Sequence, residues 1–231
     1  MPTRLAPNPV PPPGRQARPS PGGRAPALLS FVLVIALTVV GSGLASGTGR
    51  LRPPGTCLTP AEAELARLVN ERRREHGLDP VPLSRSLSLV ARWHAIDLQE
   101  NDPATGKDSR GLPCGLHSWS DKGPWSPVCY TSDHFYAQKM WNKPRELTQN
   151  RYFGNGYENV YWTSGGRADP GRAVDYWISR SEEGDVILER KLWDQMGWPA
   201  FGVGLYGQYA VVWFGDMPDP GGSIPPCDPR P

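Results

Sequence analysis

Four cysteines, Cys57, Cys114, Cys129 and Cys227, constrain this 231-residue chain more than any other feature. Three pairings are open to four cysteines. The favoured one joins Cys114 to Cys129, closing a local loop, and Cys57 to Cys227, tying the start of a domain to its end. In the chain-entropy view, the longer loop alone would constrain the unfolded chain by about 4–5 kcal/mol. A metal site is the alternative use of these thiols, but there is no C-x-x-C pair to suggest one.

Disulfides imply an oxidising compartment, and the front of the chain agrees. Residues 1–24 form a Pro/Arg-rich, disordered N-terminus with no acidic residue. Residues 25–45 are a long apolar run centred on Leu28 to Leu37, preceded by arginines and ending in small residues. This reads as a secretory signal with a long front or as an uncleaved signal anchor, a transmembrane helix of spanning length. Cys57 follows no lipobox-like triplet. The expected location is secreted or extracytoplasmic, with the membrane touched only through residues 25–45.

Charge is skewed by the same front. The four arginines before residue 46 account for the net charge of +2; from Ser46 onward there are 21 basic and 23 acidic residues. A near-neutral domain gives no electrostatic reason to expect nucleic acid. The hydrophobic content of 38% is diluted by the flanks, and nine tryptophans and eight tyrosines are enough to build a core. The organisation expected is a linker at 46–57, a domain at 58–216 and a Pro/Gly-rich tail at 217–231. A monomer is expected.

Within the domain, Thr59-Pro60-Ala61-Glu62 opens a helix with a capping box, and Gly77 stops it. The charged run Glu71 to Glu75 is expected to be a solvated face. A second helix follows Ser84, with His94 on the same face as Leu87, Val90, Ala91 and Leu98. Cys114 to Tyr130 is rich in Trp, Gly and Pro and reads as irregular. Ser132 or Asp133 is expected to cap a short helix through Trp141. Glu158 to Trp162 has strand composition, and Asp169-Pro170 starts a helix carrying Trp177. Phe201–Tyr206 and Tyr209–Phe214, separated by Gly207-Gln208, read as a hairpin with a type II′ turn. Helices first and strands last predict an α+β domain with a central antiparallel sheet.

Gly202 to Gly207 matches G-x-G-x-x-G, but it leads into another strand rather than a helix, so no dinucleotide is expected. The glycines are expected to allow close packing within the hairpin. No G-x-S-x-G elbow, P-loop or H-E-x-x-H pair occurs, which leaves serine hydrolase, nucleotide enzyme and zincin readings without local support. Among the histidines, His76 reads as surface and His134 stays open. His94 reads as either a core histidine or a cleft residue, and His117 as fixed and accessible. Glu158 reads as a site residue or as the partner of buried polar groups. His117 and Glu158 have the chemistry to hold a divalent metal such as zinc.

These pieces, in order, resemble the CAP superfamily of cysteine-rich secretory, antigen 5 and pathogenesis-related proteins, with its SCP-like extracellular domain. The resemblance covers roughly 58–216. It rests on a first helix with Leu65, Asn70 and Arg73, the turn Gly77, an Ala-rich second helix, and the pair His117-Ser118. The segment Gly156-Tyr157-Glu158-Asn159 stands for a G-E-N motif with one extra residue. Trp177 and then Phe201-Gly202-Val203-Gly204 follow. The resemblance, to a bacterial branch in particular, implies an α-β-α sandwich with a cleft where two histidines and two glutamates commonly meet, some members binding a divalent metal. His117 and Glu158 match that set. Glu183 stands where bacterial members carry a histidine, and Arg180 where a glutamate or serine is expected. Glu183 and His94 could then complete the cleft, or Arg180 could pair with Glu158 or Glu183. The expected function is a non-enzymatic binding module whose aromatic-lined cleft takes a small apolar ligand or an extracellular partner. The alternative is a metal-assisted hydrolase or peptidase with Glu158 or Glu183 as general base.

Overall fold

Seven consecutive residues, Tyr209–Gly215 (β3), are buried along their whole length in the computed structural model. A strand buried on both faces must be covered on both, and that requirement sets the architecture. The structure describes residues 54–227. The chain divides into units 1–46 and 47–231, and the expectations for 1–24, 25–45 and most of the 46–57 linker lie outside the described residues. Among those described, no helix is long and apolar enough to cross a membrane.

β3 is the centre of a three-stranded antiparallel sheet with Gly156–Trp162 (β1) on one side and Ala200–Tyr206 (β2) on the other. Glu158, Trp213 and Gly202 share a rung, as do Trp162, Tyr209 and Tyr206. β2 and β3 are joined by Gly207-Gln208; Gly207 has φ +54°, the positive value a type II′ turn needs at its first position.

Helices α1 (Pro60–Glu75), α5 (Pro170–Ser179) and α6 (Ser181–Ile187) cover one face, with Leu65, Val69, Val174, Trp177 and Ile187 packed against Val203, Val212 and Phe214. Helices α2 (Arg85–Asn101), α3 (Ala137–Trp141) and α4 (Lys143–Leu147) cover the other, where Leu87, Val90, Met140 and Trp119 meet Val160, Val211 and Trp213. The domain is an α-β-α sandwich, as expected.

Local signals at the helix starts hold. Thr59 caps α1 with Glu62 returning the bond, Ser84 accepts from Leu87 N at the start of α2, and Asp169 accepts from Arg172 N at the start of α5. The expected cap of α3 does not form. The residue at its N-cap is Tyr136, which makes no side-chain cap, while Asp133 accepts from Thr131 and is held by Arg110.

The structure corrects two further expectations. The run Glu71 to Glu75 is not all solvated: Arg73 is 3% exposed and donates to the carbonyls of Asp79 and Ile187 and to Glu189. Gly202 and Gly204 do not serve packing within the hairpin. A Cβ at Gly202 would stand 2.1 Å from the backbone of Leu87 and Ser88, and one at Gly204 2.4 Å from Arg92 N, so these glycines let the α2 backbone lie directly on the sheet. Residues beyond 216 also pack on the domain. Asp219 accepts from Ser84 Oγ, Ser86 N and Ser86 Oγ, Ile224 is buried, and Leu58 N donates to Pro225 O while Cys227 N donates to Leu58 O. At the front, Gly55 and Cys57 carbonyls accept from Arg92. The bonds formed are Cys57–Cys227 and Cys114–Cys129, the favoured pairing.

Candidate functional site

The polar centre of the molecule is built by three elements that the chain brings together on the α2 face of the sheet. β1 alternates, so Glu158 points to this face with Val160 and Trp162, while Tyr157, Asn159 and Tyr161 point to the other. α2 carries His94 inward. The segment 114–130 supplies His117, Ser118 and Trp119.

That segment is irregular, yet fully tied down. Cys114–Cys129 closes it. Trp119 and Val128 exchange backbone bonds of 2.8 and 3.0 Å. Gly115 N donates to Tyr130 O, and Tyr130 N donates to Ser118 Oγ. Ser120 N and Oγ both donate to Asp97 of α2. Held in this way, the segment presents the Ser118 carbonyl and the Trp119 ring to α2.

His94 is fully buried. Its Nδ1 meets Glu158 Oε1, and its Nε2 lies 2.9 Å from Ser118 O. Each ring nitrogen therefore has an oxygen to bond. The ring stacks on Trp119 at a centroid distance of 4.2 Å and an interplanar angle of 8°. Lys143, also buried, lies 5.3 Å from the centroid of the Trp119 ring and donates to Ser126 O and Glu146. Burial outweighs those partners and lowers the Lys143 pKa.

His117 Nδ1 donates to the second oxygen, Glu158 Oε2, at 2.7 Å. Its side chain is 32% exposed, against none for Glu158. Burial pushes the Glu158 carboxyl up, but the two imidazoles overcome it and the pKa falls below the ordinary value. Tyr130 packs edge-on to the His117 ring at 5.3 Å; burial, and then the charge of Glu158, raise its pKa. The Tyr130 hydroxyl is 2.7 Å from His134 Nδ1. Beyond it, Arg110 lies over the Phe135 ring at 4.4 Å, and Phe135 is 67% exposed.

Five residues named from the sequence are placed by the fold. His94, His117 and Glu158 form one array. Glu183 does not join it. Its backbone carbonyl accepts from Asn159 Nδ2, and Asn159 is the neighbour of Glu158 that faces the opposite side of the sheet, so α6 approaches β1 from the other layer. Arg180 pairs with neither glutamate among the described ion pairs; it lies over Tyr176 at 4.5 Å. Tyr130, which no motif singled out, and His134, left open from the sequence, extend the array outward. Their spacing of four was the available signal, blurred because His134 is not helical but has φ +56°.

A divalent metal, which the resemblance implies, does not fit these donors. Both oxygens of Glu158 and both nitrogens of His94 are committed to hydrogen bonds, leaving only His117 Nε2 outward. A catalytic zinc needs three protein ligands, and no group of three candidate ligands is assembled among the described residues. Ser118, the serine next to His117, is fully buried and its hydroxyl accepts from Tyr130 N.

No family model matches the sequence, and no curated protein does. Solved structures similar to this chain include the following two. An extracellular protein containing an SCP domain from Bacillus anthracis shares 17% identity at a TM-score of 0.43, over 67% of this chain and 39% of its own length. An outer surface protein from Borrelia burgdorferi shares 16% identity at a TM-score of 0.40, over 65% of this chain and 88% of its own. The fold assigned above rests on this chain's own strands and helices.

Proposed function

We propose that this domain is an exported, non-enzymatic binding module that meets an extracellular partner through the rim around His117. The observation that carries this reading is the closure of the buried array. Both oxygens of Glu158 and both ring nitrogens of His94 are engaged inside the domain, and the array ends at one exposed imidazole edge. Two disulfides suit an oxidising compartment. Three of the buried tryptophans pack on one another, Trp119 against Trp125 at 4.9 Å and Trp213 at 6.4 Å. The reading therefore favours a cell-surface partner over a small apolar ligand. Beside His117 and His134, the rim holds Phe135, Tyr136 and Arg110, residue types enriched at protein interfaces.

The test has two arms, both on the oxidised full chain. Zinc titration by calorimetry should give no saturable binding near one equivalent, and casein and cell-wall peptides should not be turned over. Saturable zinc binding lost in His117→Ala, or turnover lost in a folded Glu158→Gln, would replace the binding reading with the hydrolytic one. In the second arm, labelled protein should bind intact cells of the producing organism and lose that binding in Phe135→Ala. Cell binding that survives both Phe135→Ala and His117→Ala would remove the rim from the proposal.

A further inference from the structure

In an antiparallel sheet the main-chain groups of a strand turn alternately to its two sides. Phe201 of β2 fixes which way each residue of this sheet turns. Its N–H donates to Pro82 O and its carbonyl accepts from Ser84 N, both on the side away from β3. Phe201 lies opposite Phe214, so Phe214 turns its groups toward β1, and Tyr157, opposite Phe214 on β1, turns its own toward β3. Asn159 and Tyr161 follow by alternation, in agreement with the bond from Thr163 N to Gln208 O. Gly156, Glu158, Val160 and Trp162 therefore hold their N–H and carbonyl groups outward from the sheet.

The two edges of the sheet are treated differently. The outer edge of β2 is met by residues 82–84, and Val203 N donates to Ser88 Oγ. On β1 only the Gly156 end is covered: a Cβ there would stand 2.6 Å from Pro144 Cγ, and Trp141 packs on Tyr157 at 5.6 Å. Among the described residues, no hydrogen bond reaches the outward main chain of Glu158, Val160 or Trp162; Glu158 and Asn159 bond through their side chains. Nor does this stretch carry the proline, lysine or bulge that commonly blunts an edge. Its main chain touches solvent. The Glu158 side chain is 0% exposed, yet the whole residue is 6% exposed, and the difference is backbone.

We propose that the Glu158–Trp162 edge takes an extended segment of a partner protein, which adds to β1 as a further antiparallel or parallel strand. The proposal rests on the reading of the domain as a binding module and states the form its partner takes. A row of unpaired N–H and carbonyl groups is matched by another extended backbone. Side chains of that segment opposite Glu158 and Val160 would lie on the α2 face, where His117 bonds the Glu158 carboxylate, and the intervening ones on the α6 face. A second copy of this domain fits less well. Trp141 of α3 and the bond from Asn159 to Glu183 O of α6 bring both layers up to β1, so the edge is recessed. A recessed edge admits a single strand rather than the side of another three-layer domain.

A phage-displayed library of short linear peptides without cysteine, panned on the oxidised full chain, supplies the probe. Peptides that bind should weaken about tenfold when N-methylated at a residue whose amide faces the edge, and hardly at all at the residues between, giving a period of two. In the protein, Val160→Pro removes one outward N–H at a place where an edge strand tolerates proline, and binding should again fall about tenfold. Hydrogen exchange needs no variant, and decides the matter if Val160→Pro does not fold: the Glu158 and Val160 amides should exchange fast in the free chain and slowly with peptide bound. No peptide binder, slow exchange of both amides in the free chain, or N-methylation effects without a period of two overturns the proposal. Self-association of the chain that Val160→Pro abolishes would give the edge to a second copy instead. Cell binding lost in Phe135→Ala but untouched in folded Val160→Pro would keep the rim and remove the edge from partner binding. Peptide binding of the expected pattern without cell binding would retire the rim and keep the edge.

Discussion

Several carboxylates are buried in this domain, Asp97 and Asp185 among them, and two others, Glu62 and Glu158, are held in opposite ways. Glu62, 2% exposed, takes four donors: Thr59 N and Oγ1, and Arg92 Nε and Nη2 at 2.6 Å each. Its partner is a guanidinium, charged at any ordinary pH and matched to a carboxylate by shape. Arg92 spends its remaining donors on the Gly55 and Cys57 carbonyls, so this pair locks the entry of the chain to α1 and α2. Glu158 takes only two donors, both imidazoles, and one of those rings reaches solvent. Imidazole charge is conditional near neutral pH. The first carboxylate belongs to the scaffold. The second connects the scaffold to a surface that can respond.

The largest effect expected from this comparison is on the scaffold pair. Arg92→Ala should cost about 3–5 kcal/mol, since it leaves Glu62 buried without its counter-charge, and urea denaturation would measure it. A cost below about 1 kcal/mol would place the pair among weak surface bridges and erase the distinction.

A smaller, pH-dependent effect should mark Glu158. Its folded pKa lies below the ordinary value of 4.5 because His94 and His117 overcome the opposing effect of burial. A carboxyl depressed in the folded state contributes stability above its unfolded pKa, and that contribution is lost as pH falls through the folded value. The stability gap between wild type and Glu158→Gln should therefore be level above about pH 5 and shrink on acidification below it. Denaturation midpoints from pH 6 down to about pH 3 would show this; a gap that stays level throughout would mean that the imidazoles do not hold the charge.

The smallest effect is expected at His117. Its side chain is partly exposed, so His117→Ala should cost less than about 1 kcal/mol while removing the outward edge of the array. A thermal shift comparable to that of Arg92→Ala would make His117 part of the scaffold, and the contrast between the two carboxylates would fail.

Sequence by itself determined whatever depends on near neighbours. The capping box at Thr59, the cap at Ser84, the Asp169-Pro170 start of α5 and the Gly207-Gln208 turn are each complete within a few residues, so their geometry is written locally. Alternation along β1 likewise follows from a period of two. The disulfide pairing was favoured because one loop is local and the other spans the domain. His117 and Glu158 were legible as site residues for the same reason, each standing in a short distinctive stretch.

Tertiary structure alone decided what depends on which layer an element joins. Glu183 sits near Glu158 by motif, yet α6 packs on the opposite side of the sheet, and one residue along β1 separates the two faces. His94 was one polar residue on an apolar helix face until the Ser118 carbonyl and Glu158 arrived from 24 and 64 residues away. Arg73 read as solvent-facing because its neighbours are charged; its carbonyl partner at Ile187 lies 114 residues on. Gly202 and Gly204 read as hairpin glycines because the helix that needs their missing side chains is more than a hundred residues earlier in the chain. In each case the deciding partner is remote in sequence, and only packing the layers brings it into contact.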